Sequence, residues 1–491
     1  MRFGGAQALG LIFVIGCGSR TSSNLTCGPG TVARNNECVP TESSPPDAGI
    51  APDAATVSID ASLPDVGADL DAGAIDAGDA LPPGIYAIAG LDDTLPHGDL
   101  LPLANLIGQR SVVALGESVH TSGGYSDAKV RIFRALVEDH GFRGFAIESP
   151  WVDATPVTSY VDTCSGSAFD AVTQGLFGVW ANTAMKHLVE WMCGWNQAHP
   201  ADPVHFFGFD TQEPWSDGGA LKTFLTKAVA SSSVSQHLKT GLSNCDGADD
   251  GTADQYYAMH PTGTTTITAA EFMACTMGLD AIDAVLLAQG SVLAARTSTT
   301  ELELAKIHAL SVRSWELESF HWYANPQGDM NIPASFDGRD HGMAQVFLRL
   351  RALRYPGKKI AIWAHNAHIR KHGDRVEGGW GGARNMGSYL SEALADDYFT
   401  LGLVGYNVEI NWPGVGMGPT ALPPDGAVET ELHALGAPLL FVDLSFAGAA
   451  MPFLTSGQTY PLGEGEQMVP LEQFNALVYI DHSPPMHALL W

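Results

Sequence analysis

The chain has 491 residues, enough for one large domain or two ordinary ones, and its 45% apolar content can fill a sizeable core. With 54 acidic against 25 basic residues its formal net charge is −29. That balance argues against a nucleic-acid-binding protein, which needs clustered Lys and Arg to neutralise phosphates.

Arg2 followed by the apolar run Leu9 to Ile15 reads as a targeting segment, outside any fold. Val14-Ile15-Gly16-Cys17 resembles a bacterial lipobox, in which cleavage precedes the cysteine and the cysteine is acylated. An ordinary signal peptide with an incidental cysteine is the alternative. The run is too short to span a bilayer, and no later apolar run is long enough. The chain is therefore expected at the bacterial cell envelope, on its periplasmic or cell-surface side, held only by lipid on Cys17. Setting Cys17 aside leaves Cys27, Cys38, Cys164, Cys193, Cys245 and Cys275, an even set suited to an oxidising compartment. Pairing of sequence neighbours is the simplest connectivity. No CxxC is present to suggest a zinc knuckle or a redox motif.

Residues 18–40 read as a small Cys-bracketed segment. Residues 41–83 form an acidic Pro/Ala/Asp/Gly stretch without large apolar side chains, apart from scattered Ile and Leu. Such a composition cannot offset the entropy of ordering, so it reads as a disordered linker. From residue 84 to 491 the composition is that of a globular domain. Strand-length apolar runs recur at Val112–Leu115, Phe145–Ile147, Val204–Phe207, Ile360–Trp363, Phe399–Val404, Leu439–Val442 and Ala476–Ile480. Helical stripes lie between several of them: Asp127 to His140 with Gly141 as its stop, Met185 to Trp195, and a helix carrying Met343 to Leu353 with Asp337 as expected N-cap. Alternation of strands and helices predicts an α/β fold with a mostly parallel sheet flanked by helices. Residues 221–330, rich in helical stripes, predict a helical insertion covering the active site.

Ionisable residues follow the strands. After the first come Glu117 and His120, after the second Glu148, after the third Asp210, and after Ile360–Trp363 come His365 and His368. Ligands in open α/β sheets bind beyond the strands' carboxyl ends, so these groups converge if their strands are neighbours. Carboxylates beside an imidazole orient it and raise its basicity toward water. A divalent-metal hydrolase using the same cluster is an alternative, although no HExxH fixes two ligands on one helix. A serine hydrolase is another: Gly116-x-Ser118 is half a nucleophile elbow, with His120 where the closing Gly belongs. A non-catalytic envelope binding protein is the third.

Five motifs in order resemble the erythromycin esterase family: Gly116-Glu117-Ser118-Val119-His120, Phe145-Ala146-Ile147-Glu148-Ser149, Phe207-Gly208-Phe209-Asp210-Thr211-Gln212, Arg339-Asp340, and Trp363-Ala364-His365-Asn366-Ala367-His368-Ile369. The likeness extends to Tyr479-Ile480-Asp481-His482-Ser483-Pro484. The resemblance implies a hydrolase of macrolide lactones or other carboxylic esters that needs no metal or other cofactor. His120 would be the base for water, with Glu117, Glu148 and His365 as active-site members, and His368, Arg339 and Asp210 in binding or supporting roles. His365 would steady the oxyanion or protonate the leaving alkoxide. The partner implied is a small-molecule ester. The family's first motif has Thr before the histidine and Gly after it; here Val119 and Thr121 stand there, at the rim beside the base.

Overall fold

The computed structural model describes residues 81–490 except 246–266, 324–330, 380, 413–415, 448–450, 455–456, 458 and 464, and the backbone of Thr31–Arg34 and Glu37–Pro40. The lipobox, the linker up to residue 80 and the Cys27–Cys38 pairing lie outside the described residues. Contacts divide the chain into two units, Ser19–Ala80 and one that contains Leu81–Trp491. In the smaller, Thr31–Arg34 pairs antiparallel with Glu37–Pro40.

The larger unit is built on a nine-stranded sheet. Its strands are β1 (Ile85–Ala87), β2 (Val112–Leu115), β3 (Phe142–Pro150), β4 (His205–Asp210), β5 (Lys359–Trp363), β6 (Tyr398–Trp412), β7 (Gly416–Pro419), β8 (Leu439–Asp443) and β9 (Ala476–Ser483). The order across the sheet is β1-β8-β9-β6-β2-β5-β3-β4, with β7 hairpinned onto the far end of β6. From β9 to β4 every neighbouring pair is parallel; β8 runs against both β1 and β9.

Strands buried on both faces have no polar side to show, so their sequences are continuous apolar runs. Successive side chains nevertheless alternate between the two faces. Val113, Leu115, Phe145, Ile147, Ala361 and Trp363 enter one core, shared with helices α1 (Gly123–His140) and α2 (Thr183–Ala198). Val112, Ala114, Ala146, Ile360 and Ile362 enter the other. Further along the chain come α3 (Trp215–Ala228), α4 (Ser232–Leu242), α5 (Ala269–Ala288), α6 (Thr299–Tyr323) and α7 (Ile332–Arg354). From α7, Met343, Val346, Phe347 and Leu350 pack into the second core. Each such fully buried side chain contributes about 1.5–3 kcal/mol relative to exposure.

Between β4 and β5 the described residues are helical, as the stripes predict. Helices α3 to α6 share a core of their own, including Leu221, Leu225, Leu238, Leu279, Ile282 and Val312. The expected N-cap Asp337 is not at a helix start. α7 begins five residues earlier, at Ile332, where Asn331 accepts the Ala334 backbone N–H and Pro333 occupies the first turn. Asp337 instead accepts from the Tyr389 hydroxyl. Disulfides join Cys164 to Cys193 and Cys245 to Cys275, the neighbour pairing. Among the described residues no single helix is long and apolar enough to cross a membrane; α5 and Gly290–Arg296 pass that test only as a pair bent by 80°.

Candidate active site

Four adjacent parallel strands, β2, β5, β3 and β4, point their carboxyl ends the same way. Leu115 stands beside Trp363, and Trp363 beside Ile147. The residues that follow therefore emerge side by side: Gly116-Glu117 from β2, Ala364-His365 from β5, Glu148 from β3. Backbone bonds stitch the exits together, Ala364 N to Leu115 O (3.2 Å) and Asn366 N to Glu117 O (2.8 Å). Gly116 makes this approach feasible, because a Cβ there would lie 2.0 Å from Asn366 Oδ1 and 2.8 Å from Ile369 Cδ1.

His120 is anchored from one side only. Its Nδ1 lies 2.8 Å from Glu117 Oε1. With the proton on Nδ1, donated to that carboxylate, Nε2 carries a free lone pair. Nε2 has no protein partner at hydrogen-bond distance among the described residues, and the side chain is 19% exposed. The Trp180 ring meets His120 edge-on at 4.7 Å, and Trp412, from the end of β6, stacks at 6.2 Å. Glu117 is buried, and its second oxygen accepts from Lys129 Nζ at 2.8 Å.

His365 packs 4.9 Å from the His120 ring. Both of its nitrogens are engaged: Nε2 donates to the Ser118 carbonyl (2.9 Å), and Nδ1 accepts the Ala367 backbone N–H (3.1 Å). Burial, with His120 and His368 adding to it, holds its pKa well below the usual imidazole value, so it is neutral. Its single N–H is committed to Ser118. In this tautomer the ring holds the Ser118 carbonyl through its one N–H and has no second N–H to offer.

Glu148 links three elements. Oε2 accepts the His365 backbone N–H (2.9 Å); Oε1 accepts from Arg339 (3.1 Å) and faces His368 Nε2 at 3.3 Å. Burial pushes the carboxyl upward, but His368 and Arg339 overcome it and hold Glu148 well below the usual glutamate value. Arg339, from α7, grips Asp210 with two bonds, Nε to Oδ1 (3.0 Å) and Nη2 to Oδ2 (2.6 Å). Asp210 also accepts the backbone N–H groups of Thr211 and Gln212, so it ties Arg339 to the end of β4. His368 sits on α8 (Asn366–Ile369), with Nδ1 2.8 Å from Asp340 and its ring stacked on Phe336 at 4.9 Å. Burial opposes its charge, but Asp340 and Glu148 push its pKa up to about 10. It is an imidazolium at neutral pH.

The structure thus brings all seven candidates, Glu117, His120, Glu148, Asp210, Arg339, His365 and His368, to one edge of the sheet. Sequence reasoning missed Lys129 and Asp340 as members. Lys129 stands on the apolar stripe of α1, four residues from both Tyr125 and Phe133, and a charge on a core-facing stripe is a legible signal. Ser118 does not fit a nucleophile: its Oγ is 2.8 Å from Tyr125 OH and touches neither histidine. Among the described residues, Cys245, Cys275 and Glu316 alone bring three ligand atoms within 4.8 Å of one another, and those two sulfurs are bonded together. The Glu117, His120, Glu148 and His365 atoms do not form such a group.

The family described as erythromycin esterase matches residues 137–483. That stretch contains Glu148, Asp210, Arg339, His365 and His368 and begins after Glu117 and His120. A curated relative, the putative hydrolase YbfO of Bacillus subtilis (strain 168), is 26% identical over 413 residues, 79% of this chain and 87% of its own. Erythromycin esterase type II of Escherichia coli is 23% identical over 324 residues, 63% and 73% of the two chains. Among solved structures, a mutant of the erythromycin esterase EreC in its open conformation superposes with a TM-score of 0.65 at 19% identity, covering 82% of this chain and 98% of that one. A Bacillus cereus protein gives 0.66 at 19% identity, covering 82% and 96%.

Proposed function

The chain belongs to the erythromycin esterase family, and from that premise we propose that it is a hydrolase of cyclic or bulky carboxylic esters, macrolide lactones among them, working by histidine-activated water. One observation carries the reading: His120 is bonded through Nδ1 to a buried carboxylate, while its Nε2 has no protein partner among the described residues and the side chain is partly exposed. A water held at Nε2 gives up its proton as its oxygen attacks the ester carbonyl. The imidazolium formed is stabilised by Glu117. It returns the same proton to the leaving alkoxide as the tetrahedral intermediate collapses to acid and alcohol. Glu148 holds the β5 exit against β3, His365 holds it against the β2 exit, and together they fix where His120 stands. Arg339 and His368 balance the carboxylates around them. The aromatic faces of Trp180 and Trp412 beside His120 suit an apolar ring system.

The placement at the envelope is part of the same proposal. An acyl group on Cys17 would hold the chain at the membrane, with residues 41–83 as a tether.

Mass spectrometry of macrolides and simpler lactones incubated with the purified chain, with and without a chelator, tests the reaction. The expected product is heavier than its substrate by one water, formed equally well in both conditions. Unchanged substrates across the panel, or product that disappears with chelator, contradict it.

A further inference from the structure

We propose that Lys129 is a positioning residue for catalysis: by sharing the Glu117 carboxylate from behind, its ammonium keeps His120 a neutral base instead of a permanent imidazolium. The inference rests on the reading of His120 as the base and adds the device that makes it one.

Lys129 is fully buried. Its Nζ lies 2.8 Å from Glu117 Oε2 and 3.2 Å from the Ala364 carbonyl, over the Trp363 ring at 4.6 Å and 5.8 Å from that of Trp180. Burial lowers its pKa, while Glu117 and Glu148 oppose that loss. A lysine placed where water cannot reach is costly unless paired, and an apolar residue would fill the slot more cheaply. The two oxygens of Glu117 are divided, one to His120 and one to Lys129.

The same site contains a second histidine–carboxylate pair that serves as a control. His368 Nδ1 is also 2.8 Å from a buried carboxylate, that of Asp340. Among the described residues no lysine or arginine is bonded to Asp340; its further partner is the Met386 backbone N–H, and the Arg339 guanidinium acts on it only from a distance. His368 faces Glu148 as well, and despite burial and the Arg339 Nη1 3.5 Å from its Nε2 it is held protonated up to about 10. A carboxylate whose charge is not cancelled holds a proton on its histidine; a carboxylate already neutralised by an ammonium offers orientation with much less pull. The titratable groups facing His120 are Glu117 from its own loop, Glu148 from β3 and His365 from the β5 exit, with Lys129 behind Glu117. Tyr125, on α1, faces Glu117.

The test is an NMR titration of the His120 ring in the full chain labelled at histidine, with His120→Asn as the assignment control. Lys129→Met is expected to raise the His120 midpoint about tenfold or more in proton affinity, that is, by about one pH unit. Lys129→Arg, which keeps the charge, is expected to leave it in place. The acid limb of kcat/KM for a p-nitrophenyl ester should move with the midpoint. An unmoved midpoint and limb with a lowered plateau would show a purely structural lysine and overturn the proposal. If Lys129→Met does not fold, Lys129→Gln, which removes the charge and keeps a donor for Glu117, is read in its place, with the same expected rise of about one pH unit. An unmoved midpoint in that variant overturns the proposal. If the midpoints behave as stated but His120→Asn keeps full activity, the base assignment fails while the electrostatic coupling stands.

Discussion

Thr121, the residue after His120, combines three unfavourable features. Its φ is +67°, it is buried, and its Oγ1 has no hydrogen-bond partner among the described residues. A β-branched residue in the left-handed region costs about 1–2 kcal/mol. Its carbonyl accepts the Asn411 and Met486 backbone N–H groups, which fixes the conformation. Thr121→Gly is expected to raise stability by about 1 kcal/mol, after the entropy that glycine loses on folding is deducted. The midpoint of urea unfolding measures it; a less stable variant would contradict this account of the strain. At this scale the sequence was informative where chemistry and proximity coincide: Glu117 and His120 are three residues apart and do bond. It placed His365 in the site but could not show that both of its ring nitrogens are engaged, because that depends on the Ser118 carbonyl and the Ala367 N–H, backbone groups set by two loops meeting.

The elements were legible in proportion to their periodicity. Buried strands such as Val112–Leu115 and Ile360–Trp363 read directly as apolar runs, and α1 ends at His140 before Gly141 as its pattern predicts. Strand order was not legible, because pairing partners are set by packing of distant segments. The start of α7 misled because Asp337 and Asn331 are both capping residue types, and Pro333 inside the first turn is what favours the earlier one. Within the insertion, α4 and α5 cross at Gly241 and Gly278, where a Cβ on Gly278 would lie 2.3 Å from the Gly241 carbonyl oxygen. The disulfide Cys245–Cys275 closes a separation of 30 residues just beyond that crossing. Replacing both cysteines by Ser is expected to cost about 3 kcal/mol, on the order expected for a loop of that length. The deficit should appear as faster hydrogen exchange in α4 and α5, with α1 and α2 unaffected. Uniform loss of protection throughout the chain would contradict a separately cored insertion.

On the scale of the molecule, buried charge makes stability depend on pH in a definite direction. His368 is raised in the folded chain from 6.5 to about 10, so its contribution is complete below pH 6.5 and is lost as pH rises toward 10. Burial raises Glu318 to about 8 and Glu429 to about 7, and these also weaken the folded state as pH rises, beginning from the ordinary value of 4.5. Glu148 is depressed, so its contribution is present above 4.5 and is lost as pH falls. Denaturation midpoints should therefore decline between pH 6.5 and 10, and His368→Gln should flatten that decline. A wild-type midpoint that is level over this interval would contradict the charged assignment of His368.

The central claim is that one imidazole at the end of β2 makes water nucleophilic, and steady-state hydrolysis of an ester by His120→Asn and Ser118→Ala tests it most directly. The account predicts that His120→Asn, folded by circular dichroism, loses about 10²–10⁴-fold in kcat, while Ser118→Ala stays within a few-fold of wild type. Near-normal turnover by His120→Asn, or its loss in Ser118→Ala, would contradict it.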